Sequence, residues 1–380
     1  MQSFTLSRIP EIIFGAGRIA DVADKVAQCA GANANVLVVA DPMLTSLGIT
    51  GRVVKTLLGA GFNTQIFDGI TGEPKLADID AAAAQARKIS AKAIIGIGGG
   101  SALDTAKLVA ACAASGLSAQ RYQLCETPLP KNILPIIAIP TTAGTGSEVT
   151  RVAVFANADK VKVWAWGEEM KPLVAILDPE LTVGVPAHIT AATGLDALVH
   201  AIEAATNTNR TDGNDLYALK AVSLISQHLQ TAINTSSDLA ARGALLLGSC
   251  YGGIAIDNCG TALAHNISHA MADLAPIPHG RATGLAMLAT MQWASHGAAE
   301  AFARVASAMG TGDPVKAYAD LVRGSGMKIS LEGDGLDLAR PELLAERMAS
   351  PANTPMRRST ARYPQDHELV EIARMVYALR

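Results

Sequence analysis

A chain of 380 residues with 49% hydrophobic and 17% charged side chains can bury a sizeable core, which excludes disorder as a description of the whole and predicts two domains or one large one. A formal net charge of −3 without any Lys/Arg run excludes a surface built to neutralise nucleic-acid phosphates. The opening MQSFTLSRIPEIIF lacks a basic segment followed by an apolar stretch and a cleavage site, and no continuous apolar run of roughly 18 residues occurs, so a cytoplasmic protein with no membrane partner is expected.

In chain order, β-rich apolar runs alternate with amphipathic stretches up to about residue 180, the pattern of parallel βαβ units. The predicted strands are NVLVVAD, FNTQIFDG, AKAIIGIG, ILPIIAIP and LVAILD. Between them IADVADKVAQCAG, GRVVKTLLGAG, LADIDAAAAQARKIS and SALDTAKLVAACAAS carry apolar residues at helical spacing. Continuous apolar strands imply a sheet covered on both faces. After Asp178 and Pro179 the β-branched runs stop and helical periodicity continues almost to the C-terminus. A boundary near residue 185 follows, with Pro186 at a helix start and the cleft between the halves as the expected ligand site.

The segment AKAIIGIGGGSALDTAK sets Gly98, Gly99, Gly100 and Ser101 between a strand and the first turn of a helix. Glycines there let the backbone approach a ligand, and the free N–H groups of the helix start attract a pyrophosphate. Ser101 replaces the third glycine of the usual dinucleotide fingerprint, and the turn follows at least two earlier βα units, so a different nucleotide-binding topology is implied. Asp41, ending an earlier strand, is placed to accept hydrogen bonds from ribose hydroxyls and to repel a 2′-phosphate, favouring NAD over NADP; alternatively it only starts a turn with Pro42. A second loop, AIPTTAGTGSEVT, gathers Thr141, Thr142, Thr145 and Ser147 at the end of the next strand, where open α/β sheets bind ligands.

Further on, ATGLDALVHAIEAAT aligns Asp196, His200 and Glu203 on one stripe of an apolar helix. GTALAHNISHAMADLAPIPHG adds His265 and His269 one turn apart and His279 beyond a Pro-Ile-Pro break. A carboxylate with several imidazoles suits Fe(II) or Zn(II), with positions left for a substrate oxygen. Five cysteines without a CxxC pair point to neither a disulfide framework nor a thiolate site, and all five are expected to be buried small apolar residues.

With GGGSALDTAK, PTTAGTGSEVT, ILDPELT, GLDALVHAIEA and HNISHAMADLAPIPHG in hand, the chain resembles the iron-containing alcohol dehydrogenases, distant relatives of the dehydroquinate synthases. The resemblance implies an α/β NAD(P)-binding domain with a parallel sheet over residues 1–185 and an all-α metal-binding domain over 186–380. It implies Asp196, His200, His265 and His279 as ligands of Fe(II), with Zn(II) or another divalent ion as the alternative, and His269 as an extra histidine near substrate and nicotinamide. It implies cofactor contacts from Asp41, Gly98, Gly99, Gly100, Ser101, Asp104, Thr141, Thr142, Thr145 and Lys162. Lys162 is chosen over Lys160 only by its distance from DPEL. Trp164 and Trp166 nearby are read as core aromatics, and Arg151 as a salt-bridged strand residue.

The implied chemistry is reversible hydride transfer between NAD(P) and a small primary alcohol or diol, run in reverse as an aldehyde reductase, with the metal as Lewis acid and His269 relaying a proton. A homo-oligomer, dimer or larger, is the usual form of such enzymes. The competing reading is a non-redox, NAD- and metal-dependent enzyme like a dehydroquinate synthase. Its phosphate substrate would want several cations, and the segments near the ligands offer chiefly Arg281 and Arg151.

Overall fold

Val36, Leu37, Val38, Val39 and Ala40 are all without solvent exposure, which a strand achieves only when both faces of its sheet are covered. The computed structural model describes residues 3–70 and 72–380. Its strands are β1 (Glu11–Phe14), β2 (Asn35–Ala40), β3 (Asn63–Phe67), β4 (Ala93–Gly98), β5 (Ile136–Pro140), β6 (Val152–Ala156), β7 (Lys162–Trp166) and β8 (Val174–Leu177). Six form one sheet in the order β1-β8-β5-β4-β2-β3, every pairing parallel. The crossovers run through α1 (Val22–Ala30), α2 (Pro42–Ser46), α3 (Ile49–Gly59), α4 (Leu76–Lys88) and α5 (Gly100–Ser115).

Side-chain alternation along the strands divides the core between the two faces. Val36, Val38, Ile95, Ile97, Ile137 and Ile139 pack with Val22, Val26, Val53 and Leu57 of α1 and α3. Leu37, Val39, Ile94 and Ile136 pack with Ile79, Ala83, Leu108 and Val109 of α4 and α5. This unit comprises Arg8–Thr142 and Gly146–Gly184.

The second unit comprises residues 3–7, Ala143–Thr145 and Val185–Arg380. It is built from α6 (Ala187–Thr206), α7 (Asp212–Asn234), α8 (Leu239–Cys259), α9 (Leu263–Ala272), α10 (His279–Gly297), α11 (Ala299–Met309), α12 (Pro314–Gly324), α13 (Pro341–Met348), α14 (Thr354–Arg358) and α15 (Leu369–Tyr377). Among its described residues there is no strand. Helix α6 starts directly after Pro186, and α10 directly after Pro278, as the fixed proline φ and missing N–H favour. By length and mean hydropathy α8 is apolar enough to cross a membrane, but 67% of its apolar window is buried in the protein, the mark of a core helix.

Several expectations need correction. The edge strand β1 and the antiparallel β6–β7 hairpin were not anticipated. Cys125 is exposed and Cys29 only half-buried: Cys125 sits in a left-handed conformation, φ 60°, at a kink in a 3₁₀ segment that turns it outward. Trp166 is 50% exposed and lies under the Arg151 guanidinium at 4.6 Å, so it is a stacking surface rather than a core residue. β3, at the far edge of the sheet, has one face partly open, as an edge position dictates.

Candidate functional site

In the α/β unit, the glycine turn is shaped by close backbone approach. Gly98 has φ 151°, and a Cβ there would stand 2.7 Å from the Cβ of Ala102, so only glycine lets β4 run straight into α5. The Thr141 N–H donates to the Gly98 carbonyl at 2.9 Å, and the Asp41 N–H donates to the Ile97 carbonyl at 3.3 Å. A Cβ on Gly99 would meet Thr142 Oγ1 at 3.3 Å. The ends of β2, β4 and β5 thus bring Asp41, Gly98, Gly99, Thr141 and Thr142 together, with Gly100 and Ser101 opening α5. Asp41 is also the N-cap of α2, its Oδ1 accepting from the Met43 N–H at 2.8 Å, a role that uses one of its two oxygens.

Asp104 is differently engaged. Its Oδ1 accepts from Ser147 Oγ at 2.5 Å and its Oδ2 from the Val154 N–H at 2.9 Å. Lys107, fully buried, donates to Ser147 Oγ, Thr150 Oγ1 and the Val152 carbonyl and lies 3.5 Å from Asp104. The DTAK part of the motif therefore anchors the loop after β5, a function that spacing did not suggest. Next to Ser147, Glu148 is buried and its Oε1 has no hydrogen-bond partner; burial pushes its carboxyl up to about 7. Lys162 stands on β7 and is paired with Glu73 at 2.9 Å. Thr145 belongs to the short segment grouped with the helical unit.

In the helical unit, Asp196, His265 and His279 each turn a ligand atom toward one point, all within 4.8 Å of one another. Asp196 Oδ1 lies 3.8 Å from His265 Nε2 and 3.7 Å from His279 Nε2. Donor atoms held about 2.1 Å from a tetrahedral ion stand roughly 3.4 Å apart, so these spacings are within a few tenths of what a shared cation needs. Both Asp196 Oδ1 and His265 Nε2 are buried without a hydrogen-bond partner. Such orphaned groups cost a few kcal/mol or more each unless an ion or ligand engages them. His200 stacks on His265 with ring centroids 4.4 Å apart, its Nδ1 3.9 Å from Asp196 Oδ2. The donor set fits a divalent ion of borderline softness.

Each of these three imidazoles is held through its other edge or its Nδ1. His200 Nδ1 faces the Gly144 carbonyl at 3.3 Å. His265 Nδ1 faces Glu203 Oε2 at 2.7 Å. His279 Nδ1 faces Ser268 Oγ at 3.2 Å, and Thr283 bonds both Ser268 and the His279 carbonyl. Burial lowers the His200 pKa to about 4 against the opposing charge of Asp196. For His265 burial also pulls downward, but the charge and hydrogen bond of Glu203, with Asp196, carry it above the ordinary imidazole value. His269, one turn beyond His265 on α9, has its ring 5.7 Å from that of His279. Arg281 is tied to Asp334 at 2.8 Å and Arg151 to Glu168 at 2.8 Å, so the cations a phosphate substrate would need are already paired.

Comparison with known proteins points to one family. The family model described as iron-containing alcohol dehydrogenase matches residues 10–179, and the model of that family's C-terminal region matches residues 190–376. The Escherichia coli K12 protein named "Probable alcohol dehydrogenase EutG" is 37% identical over 325 residues, covering 84% of this chain and 81% of its own. A crystal structure of 1,3-propanediol oxidoreductase superposes with a TM-score of 0.91 at 30% identity, covering 99% of this chain and 100% of its own. The sulfoacetaldehyde reductase of Bifidobacterium kashiwanohense, solved with NAD+, superposes with a TM-score of 0.91 at 28% identity over 100% of both chains.

A parallel sheet ending in a phosphate-type turn, joined in one chain to helices that converge a carboxylate and imidazoles, defines a metal-dependent oxidoreductase that works with a nicotinamide dinucleotide. The chain belongs to the iron-containing alcohol dehydrogenase family. It is an oxidoreductase acting on alcohols, with NAD and a metal as its cofactors.

Proposed function

We propose that Asp196, His200, His265 and His279 hold a single divalent ion, Fe(II) in the physiological enzyme with Zn(II) as the alternative. The substrate pair is a small primary alcohol or diol and its aldehyde. The observation that carries this reading is the facing pair of buried, unpartnered atoms, Asp196 Oδ1 and His265 Nε2, 3.8 Å apart. The names of two relatives, a propanediol oxidoreductase and a sulfoacetaldehyde reductase, support a short substrate.

When bound, the divalent ion supplies Lewis acidity toward an alcohol oxygen and the nicotinamide accepts the hydride. The protein's own residues do the rest. Asp196 contributes the negative charge of the centre, and the second-edge contacts of His200, His265 and His279 fix their rings. His269, on the same helix as His265, takes the alcohol proton and passes it outward. Gly98, Gly99, Gly100 and Ser101 present backbone N–H groups to the pyrophosphate, and Thr141 and Thr142 hold the adjoining loop against them. Asp41 keeps Oδ2 for the ribose hydroxyls while Oδ1 caps α2, which favours NAD. Asp104 acts by anchoring the Ser147 loop, and Thr145 and Lys162 are further donors toward the cofactor.

Five cysteines, none of them in a disulfide, support a reducing, cytoplasmic setting. Met43 and Leu47, one turn apart and 63% and 60% exposed, support a homo-oligomer that covers them. The test of function is nicotinamide absorbance in anaerobic protein loaded with Fe(II) or Zn(II), scanned over small alcohols with NAD or NADP and over aldehydes with the reduced forms. Metal-dependent turnover is expected, and metal- and NAD-bound protein that turns over nothing would return the weight to a non-redox relative.

A further inference from the structure

Glu203 is a heavily engaged carboxylate of the helical unit. It is buried to 2% exposure on α6, and four hydrogen-bonding partners converge on its two oxygens. Oε1 accepts from the Ala264 N–H at 2.6 Å and the His265 N–H at 3.3 Å. Oε2 accepts from the Ala262 N–H at 2.6 Å and faces His265 Nδ1 at 2.7 Å. Three of these donors are the unpaired N–H groups at the start of α9, a helix with no side-chain cap of its own, which is where an anion is best placed. Each oxygen accepts from a backbone N–H at the start of α9, and the positive end of a helix dipole favours the charged carboxylate there.

We propose that Glu203 is the positioning residue of the metal centre: through one carboxylate it starts the ligand-bearing helix α9 and fixes His265 in the tautomer that can bind a cation. This rests on the ligand assignment made above. An ionised carboxylate only accepts, so Nδ1 carries the proton of neutral His265 and Nε2 keeps its lone pair. That nitrogen is the atom 3.8 Å from Asp196 Oδ1. The Nδ1 atoms of His200 and His279 face a carbonyl and a hydroxyl, whereas that of His265 faces a carboxylate, a partner that raises the basicity of a ligand. Glu203 acts through His265, whose Nδ1 it faces.

The substitution Glu203→Gln discriminates between a cap and a positioning residue because an amide has one acceptor oxygen and one donor nitrogen. With the nitrogen in the Oε1 position it meets two backbone donors, Ala264 and His265. In the Oε2 position it meets one backbone donor, Ala262, and His265 Nδ1, which relieves its clash by accepting. The second arrangement has fewer unmet donors, and it drives the His265 proton to Nε2, where it blocks the ligand lone pair.

The test uses the full chain with Co(II) as probe, titrated in competition with a chromogenic chelator, together with imidazole ¹⁵N NMR of the metal-free parent, followed to alkaline pH until the His265 ring is neutral. The parent is expected to bind Co(II) and to show one buried imidazole protonated at Nδ1 whose signals are lost in His265→Asn. Glu203→Gln is expected to bind Co(II) roughly 10- to 100-fold more weakly, with altered visible bands, while NADH binding to the α/β unit is retained. Unchanged Co(II) affinity and bands in Glu203→Gln, even with lowered thermal stability, would show a helix cap only and overturn the proposal. If that variant does not fold, the parent spectrum decides: His265 protonated at Nε2 overturns it. A parent that takes up no Co(II) overturns the ligand assignment itself, and the proposal with it.

Discussion

The carbonyl oxygen of Gly144 lies 3.3 Å from Nδ1 of His200, because a residue without a side chain lets that loop rest on α6. A Cβ on Gly144 would stand 2.9 Å from Thr193 Cβ and 3.2 Å from its Cα, and backbone cannot move aside cheaply. Gly144→Ala should therefore lift the loop, lengthen the bond to His200 and destabilise the protein by about 1–3 kcal/mol. Thermal unfolding checks the second effect. Weaker metal retention in a chelator competition checks the first, and unchanged retention would mean that the carbonyl does not orient His200.

Removing a ligand should separate the two units' functions. His265→Ala or His279→Ala is expected to lose the metal and all turnover while NADH still binds, because the glycine turn and its threonines contain no residue of α9 or α10. Metal analysis beside NADH fluorescence tests this, and an active, metal-replete variant would refute the ligand set.

Asp41 has two separable roles. Asp41→Gly should improve NADP use relative to NAD and cost about a few tenths of a kcal/mol through the lost α2 cap. Asp41→Asn keeps an acceptor for the Met43 N–H and removes the charge. Both variants should shift the ratio of kcat/KM for the two cofactors in the same direction; an unshifted ratio in both would leave Asp41 as a cap alone.

Glu148 should make stability depend on pH. Its folded carboxyl is raised to about 7 from an ordinary 4.5, so between those values the folded state holds a proton that the unfolded state has released. Stability is thus greatest below about 4.5 and declines as pH rises toward 7, by on the order of 3 kcal/mol. Glu148→Gln removes that decline. Denaturant unfolding of both proteins should give a difference that grows from pH 4 to pH 8, and a constant difference would show that folding does not shift this carboxyl's pKa.

What the sequence made legible was local. β2, β4 and β5 were readable because their buried faces are continuous in sequence, and the Asp196–His200 pair because both sit on one helix stripe. The β6–β7 hairpin was missed although VAVFA and KVWAW alternate, with Ala153, Phe155, Val163 and Ala165 inward; its turn closes through Asn157 and a left-handed Lys160, not through an Asn-Gly signal. The partners of Glu203 lie some 60 residues away, and no periodicity reports a carboxylate shared across two helices. Asp104 carried the motif that marked it, yet its oxygens serve Ser147 and Val154, a choice made by the loop's fold rather than by spacing.

The helical unit draws on three separate stretches of chain, and this has a bearing on biosynthesis. Ser7 donates its N–H to Asn258 and its hydroxyl to Asp257, partners 251 and 250 positions downstream. At a ribosome adding about 5–20 residues per second, Ser7 waits on the order of 10–50 seconds for them. The residues around Gly144 wait in the same way for α6, whereas the parallel sheet is complete once β8 has emerged. The last strand of the sheet, β8, is thus synthesised before any residue of the Asp196 cluster, so the cluster can close only after every strand of the sheet is available.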